Sequence, residues 1–400
     1  MGSIAANWKK LSGEDEWAGL LEPPLDADLR RYLIHYAERA QALYDAFNDD
    51  KLSTAYGFSR YPPDEDFFAS VFLRNGNPYE YEITQFFYAS TAYTVGDWAV
   101  ADGRSAWIGY VAVSTEKGTW RLGRRDMLVC WRGTKTRAEW FQDASSAMVP
   151  ASEVFGSTAH DPMVHQGFFS VYTHNSPHST YNKTSARQQV LAEVRRLVDK
   201  YRNEETSITV VGHSLGAALA TLNVADIVTN HYHKPTHTGP TTSGGCMVTA
   251  FVYGCPLTGD QGFHDMFTGL SHHLRLLRIR NFPDPVTTYL PEFFGFVHVG
   301  KELVIYIKSP YLKPGPNHHS LELYMHGLDG YNGVRPFELV VRRDLALVNK
   351  GEDHLKDEFK VPPNWWTEKN KAMRQLGDGS WAIADYMPPP PAAAEDGAER

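Results

Sequence analysis

The stretch Thr209-Val-Val-Gly-His-Ser-Leu-Gly-Ala-Ala218 decides the fold. Its centre has the pattern Gly-x-Ser-x-Gly, with Gly212, His213, Ser214, Leu215 and Gly216 in the five places. β-Branched residues lead in (Ile208, Thr209, Val210, Val211), and small residues at helical spacing lead out (Ala217, Ala218, Ala220). Strand, sharp turn and helix is the context in which this pattern marks a nucleophilic serine. Such a turn packs backbone against backbone, so Gly212 and Gly216 stand where a side chain would clash. Ser214 is thereby presented at the C-terminal edge of a strand and at a helix N-terminus, where free N–H groups favour developing negative charge. The Leu215 amide is then placed to donate to an oxyanion, and His213 packs behind the turn.

Outward from this point, strands and helices alternate. Residues 107–114, 127–131, 208–211, 247–253, 274–279 and 303–307 read as strands, being rich in β-branched and aromatic residues. Residues 185–201 and 215–228 read as helices. This alternation predicts an α/β fold with a mostly parallel central sheet flanked by helices. Nearer the N-terminus, Leu29, Leu33, Tyr36, Ala40, Leu43 and Phe47 recur with a helical period, and Asp26 or Asp28 is suited to cap the start. Three regions are expected: an N-terminal helical and loop extension (1–105) packed on the core, a catalytic domain (106–385), and a disordered Pro/Ala-rich tail (386–400).

With 400 residues, 42% hydrophobic and 22% charged, the composition is that of an ordinary globular protein able to bury a large core. A net charge of −8 argues against a nucleic-acid partner. No apolar run approaches the roughly 18 residues of a membrane span, and the N-terminus lacks a secretory or transit pattern. Gly2 does not complete a myristoylation signal, because Ala6 stands where that signal wants Ser or Thr. A cytoplasmic protein touching membranes only peripherally is expected. The three cysteines, Cys130, Cys246 and Cys255, read as buried reduced thiols. His231, His233 and His237 have a spacing that suggests a metal, but they lie in a polar stretch without Cys or carboxylate and read as solvated loop histidines. No metal and no cofactor are expected.

A serine hydroxyl needs an imidazole to take its proton and a carboxylate to orient that imidazole, in the chain order Ser, Asp or Glu, His. Asp284 follows the strand 274–279 in a proline-bracketed turn, where such a carboxylate belongs. Asp260 also follows a strand and is its rival, read as a loop or helix cap. The histidine is not singled out by spacing among 17.

Several blocks together resemble the class 3 lipases, and within them the plant phospholipases A1 of the class without a transit peptide. They are Gly212–Ala218, Cys130-Trp-Arg-Gly-Thr134 with Glu139-Trp140 and Asp143, and Val164-His-Gln-Gly-Phe168. Asn281-Phe-Pro-Asp-Pro-Val286, His319-Ser-Leu-Glu322 with Leu323-Tyr-Met-His326, and Val361-Pro-Pro-Asn-Trp-Trp366 complete the set. The resemblance covers nearly the whole chain. It implies an α/β-hydrolase fold with Ser214, Asp284 and His319 as catalytic residues, and Thr134 as the second oxyanion donor beside Leu215. Arg132 then reads as a structural ion-pairing residue under the oxyanion loop, not a phosphate ligand. One departure is local: the family commonly has Asp-x-Val-Pro, whereas here Thr287 follows Asp284-Pro-Val.

The expected activity is hydrolysis of the sn-1 ester of glycerophospholipids at a membrane or micelle surface, through an acyl-enzyme. Hydrolysis of galactolipid or triacylglycerol, acyl transfer, and a non-catalytic lipase-like binding protein are the alternatives. Residues 135–148 read as a lid or its hinge. Residues 287–296, with Tyr289, Leu290, Phe293, Phe294 and Phe296, read either as an interfacial anchor or as core.

Overall fold

The computed structural model describes residues 3–91, 105–134, 147–157, 161–237, 245–288, 294–366, 373–375 and 381–383. Seven strands form its main sheet, and they lie side by side in chain order. They are β1 (Tyr81–Ala89), β2 (Ala106–Ser114), β3 (Arg125–Trp131), β4 (Thr206–His213), β5 (Met247–Tyr253), β6 (Leu274–Asn281) and β7 (Lys301–Ile305). β3 to β7 run parallel, while β1 and β2 are antiparallel additions at one edge. This is the α/β-hydrolase architecture expected. Because β1 pairs with β2, a boundary at residue 105 falls between two hydrogen-bonded strands.

The helices that cover the sheet include α1 (Ser3–Leu11), α2 (Ala27–Ala46), α3 (Gln166–Thr173), α4 (Ala186–Lys200), α5 (Leu215–Thr229) and α6 (Leu321–Gly330). They divide between the two faces of the sheet. Strand side chains alternate, so Met127, Val129 and Trp131 of β3 face α3, α4 and α5, while Leu128 and Cys130 face the layer of α1, α2 and α6. Both faces are covered, which explains the near-continuous apolar runs in the parallel strands.

Helix starts follow the caps that the sequence offers. Asp26, not Asp28, caps α2 by accepting from the amides of Asp28 and Leu29 at 2.9 Å each. Ser185 and Gln188 form a reciprocal capping box at the start of α4. α5 is buried along nearly its whole length, so its polar side chains need partners inside the protein. Asn223 accepts from Trp131 Nε1 (3.2 Å), and Asp226 accepts from the Tyr172 hydroxyl (2.7 Å) and from Arg187 (3.0 Å).

Arg30 ties the N-terminal layer to the end of α6. Arg30, on α2 and 1% exposed, donates to the carbonyls of Leu328 (2.7 Å), Asp329 (3.2 Å) and Tyr331 (2.6 Å). The last carbonyls of a helix lack intrahelical donors and carry partial negative charge, so a cation here caps α6.

At the N-terminal ends of the parallel strands lies a buried polar cluster. Asp126, with no exposed surface, accepts from Tyr36 (2.9 Å), Tyr81 (2.6 Å), Ser207 (2.6 Å) and Thr209 (2.7 Å). The Arg124 guanidinium stands 3.4 Å from the same carboxylate and donates to Tyr32, Tyr36, Ser207 and the Leu122 carbonyl.

Candidate active site

The opposite, C-terminal ends of the strands carry the residues picked out by sequence. β4 ends at His213 and α5 begins at Leu215, leaving Ser214 between them at φ +60°, ψ −128°. A non-glycine residue held there costs about 1–3 kcal/mol, so its surroundings must over-determine it. Two hydrogen bonds do so: the Ser214 amide donates to the Tyr253 carbonyl on β5 (3.0 Å), and the Ala217 amide donates to the Ser214 carbonyl (2.9 Å). The glycines are obligatory here. A Cβ on Gly212 would lie 2.0 Å from the Gly216 carbonyl oxygen, and one on Gly216 would lie 2.2 Å from that of Trp131. Although Ser214 occupies the N-cap position, its side chain makes no capping bond, so the hydroxyl is not consumed by the helix.

Asp284 follows β6 through a tight turn and is 1% exposed. One carboxylate oxygen accepts from His319 Nδ1 (2.7 Å) and from the Tyr324 hydroxyl (2.6 Å), and the other accepts from the Val286 amide (2.9 Å). A carboxylate facing Nδ1 requires the proton there, which leaves the lone pair on Nε2. His319 Nε2 is buried and has no hydrogen-bond partner among the described residues, Ser214 included. The bond to the nucleophile is often long or absent until substrate is bound. Gly254, the residue after Tyr253, links the two halves of the site. A Cβ on it would stand 3.0 Å from His319 Cε1 and 3.1 Å from the Asp284 carboxylate.

The loop bearing His319 is held along its backbone. Asn281 Nδ2 donates to the His318 carbonyl (2.9 Å), the His319 amide donates to Asn317 Oδ1 (3.3 Å), and His213 Nε2 meets the His319 carbonyl (2.9 Å). His213 therefore does more than fill space behind the elbow. Tyr324 and Tyr44 were not picked out by sequence. Tyr324 lies inside the quoted 323–326 block, and burial together with Asp284 pushes its hydroxyl well above the ordinary tyrosine range.

The oxyanion side is equally tight. A Cβ on Gly133 would come within 2.6 Å of the His213 carbonyl oxygen and 3.1 Å of Ser214 Cβ. Thr134, half-buried, follows directly, and Leu215 sits at the first helical position, where amides have no intrahelical acceptor. Arg132 is buried beneath this strand end. It donates to the carbonyls of Trp107 (3.0 Å) and Gly133 (2.8 Å), with its guanidinium 3.8 Å from the centre of the Phe47 ring. Burial lowers it to about 10.

Asp260 is a helix cap, accepting from the Phe263 amide at 2.8 Å. The cysteines are free and buried, and burial raises Cys130 to about 12. His233 corrects the reading of solvated histidines: it is 1% exposed and lowered to about 4 by burial, because the loop after α5 folds back and the Cys246 amide donates to the His233 carbonyl (2.8 Å). Among the described residues no group of His, Cys, Asp or Glu is arranged to hold a metal, and no helix is long and apolar enough to cross a membrane. Of the lid segment 135–148, residues 135–146 lie outside the described residues, as do 289–293 and the tail 386–400. The aromatic segment splits: Phe294 is 50% exposed, whereas Phe296 is fully buried against Leu257 and Met148.

Comparison with known proteins identifies the family of the chain. Residues 128–294 match the model of the family Lipase (class 3). Phospholipase A1-II 4 of Oryza sativa subsp. japonica is 47% identical over 396 residues, covering 96% of this chain and 96% of its own. Phospholipase A1-IIgamma of Arabidopsis thaliana is 45% identical over 402 residues, covering 96% of this chain and 93% of its own. Among solved structures, a nonglycosylated lipase of Yarrowia lipolytica superimposes with a TM-score of 0.47 at 19% identity, covering 74% of this chain and 84% of that one. The chain belongs to the class 3 lipases and, within them, to the plant phospholipases A1 of type II.

Proposed function

We propose that this lipid ester hydrolase cleaves the sn-1 ester of glycerophospholipids through an acyl-enzyme on Ser214. The observation that carries the reading is the His319–Asp284 pair at 2.7 Å, with His319 Nε2 left open at the sheet edge that presents Ser214. The relatives named phospholipase A1 supply the substrate class.

In this mechanism Ser214 Oγ attacks the ester carbonyl while His319 Nε2 takes the hydroxyl proton. Asp284 holds the tautomer and stabilises the imidazolium, with Tyr324 and the Val286 amide keeping the carboxylate in place. The amides of Leu215 and Thr134 receive the oxyanion, aided by the N-terminus of α5. His319 then returns its proton to the departing lysolipid oxygen. Water, activated by His319, releases the fatty acid. No step calls for a metal or cofactor.

The test uses phosphatidylcholine with different acyl chains at sn-1 and sn-2. The unmodified protein should release the sn-1 acid, and Ser214→Ala should release neither. Turnover only of galactolipid or triacylglycerol would replace the substrate, and undiminished hydrolysis by Ser214→Ala would remove the mechanism.

A further inference from the structure

We infer that Tyr44, on the N-terminal helix α2, is a positioning residue of the active site and acts through His213 on the backbone of His319. The inference rests on the reading of Ser214, Asp284 and His319 as the catalytic set.

His213 is 5% exposed, and both of its ring nitrogens are engaged. Nε2 stands 2.9 Å from the His319 carbonyl oxygen, and Nδ1 stands 2.8 Å from the Tyr44 hydroxyl. A carbonyl oxygen can only accept, so Nε2 carries the hydrogen. In the neutral ring Nδ1 must then be the acceptor, and the phenol must be its donor. Burial, followed by the neighbouring His319, holds the His213 ring far below the ordinary histidine range, so it stays neutral. Burial pushes the Tyr44 hydroxyl upward, so it keeps the proton it donates. The chain Tyr44 O–H to Nδ1, then Nε2–H to the His319 carbonyl, therefore runs in one direction only.

Tyr44 also touches the oxyanion side. A Cβ on Gly133 would lie 2.2 Å from its hydroxyl oxygen, closer than from any other atom. One phenol thus abuts the strand end that carries Thr134, the elbow that carries Ser214, and, through one imidazole, the loop that carries His319. Without the phenol, Nδ1 becomes a buried acceptor with no donor, and the ring that holds the His319 loop loses a restraint. Tyr44 touches no reacting atom; it sets where one reacting group stands.

The direct test is the ¹⁵N spectrum of the full-length protein labelled in histidine, with the His213 signals assigned by their loss in His213→Gln. A neutral ring with hydrogen on Nε2 is expected. Hydrogen on Nδ1 in the unmodified protein would overturn the inference, whatever the enzyme turns over. The functional arm is a cycle between Tyr44→Phe and His213→Gln, whose amide nitrogen reaches the place of Nε2 and donates without a phenol. Tyr44→Phe should lower kcat about tenfold with KM little changed, and less than about twofold in the His213→Gln background. Equal losses in both backgrounds, or a lower Tm with kcat per folded molecule unchanged, would reduce Tyr44 to packing. Loss of Ser214 dependence would instead condemn the catalytic reading and leave the tautomer result standing.

Discussion

The parallel strands carry a buried carboxylate cluster at each end, and the two differ in what meets the carboxylate. At the N-terminal ends, Asp126 takes hydrogen bonds from four hydroxyls and faces Arg124, whose donors all end inside the protein. At the C-terminal ends, Asp284 takes bonds from His319, Tyr324 and the Val286 amide. There the chain of donors stops at His319 Nε2, which is buried and unmatched. A closed network rigidifies a core, whereas an unmatched polar atom is costly unless a reactant uses it. An unmatched atom alone does not mark chemistry, since His35 Nδ1 beside the Asp126 cluster is also buried without a partner among the described residues. What sets Asp284 apart is that its partner is an imidazole at the strand ends that present Ser214.

The largest effect should come from Asp284→Asn, which keeps the shape but leaves His319 able to hold the wrong tautomer. Its kcat should fall by about 10⁴-fold with little change in Tm. Asp126→Asn should do the reverse. Leaving Arg124 uncompensated in a buried cluster should cost about 3–5 kcal/mol in denaturant unfolding, with kcat per folded molecule within about twofold. If Asp126→Asn lowered kcat as steeply as stability, the division between the two ends would fail.

Gly254→Ala should fall between them. It places a side chain at φ +56° and a methyl 3.0 Å from the His319 ring. A stability loss of about 1–2 kcal/mol and a kcat loss of 10- to about 100-fold are expected, read from unfolding and initial rates. Part of the acid sensitivity should come from histidines outside both clusters. His165 and His233 are both lowered to about 4 by burial, below an unfolded value of about 6.5. The unfolded chain therefore binds more protons between these values. The stability these two contribute is complete above pH ~6.5, is lost as pH falls from there toward about 4, and levels off below. The acid slope of Tm should persist in Asp284→Asn and flatten in His233→Gln. The smallest effect is reserved for the rim: Phe294→Asp should slow hydrolysis of vesicles about threefold while sparing dispersed short-chain esters. Equal slowing of both would make Phe294 a packing residue.

Much of this was legible because it is local. Elbow, following helix and helix caps depend on neighbours within a few residues, and residues 206–229 need little else to be read. Asp284 and His319 came from chain order and resemblance. What escaped was non-local or irregular. Tyr44 lies 169 residues from His213, and no spacing rule reaches that far. Strand β1 breaks its register twice, at Ile83/Gln85 and Phe87/Tyr88, and its adjacent Phe86 and Phe87 are both buried because both faces of the sheet are covered. His233 looked solvated because its neighbours are polar, but distant residues such as His273 and Cys246 pack on it.

The tie from Arg30 to the end of α6 has a consequence for synthesis on the ribosome. The strands emerge in the order in which they pair, so the sheet can grow as the chain lengthens. Yet Arg30 must wait for carbonyls about 300 residues downstream, roughly 15–60 seconds at ordinary elongation rates. His319 appears just before those carbonyls. A nascent chain should thus carry most of its sheet while still unable to hydrolyse a lipid ester, and its active site should be complete once α6 meets α2.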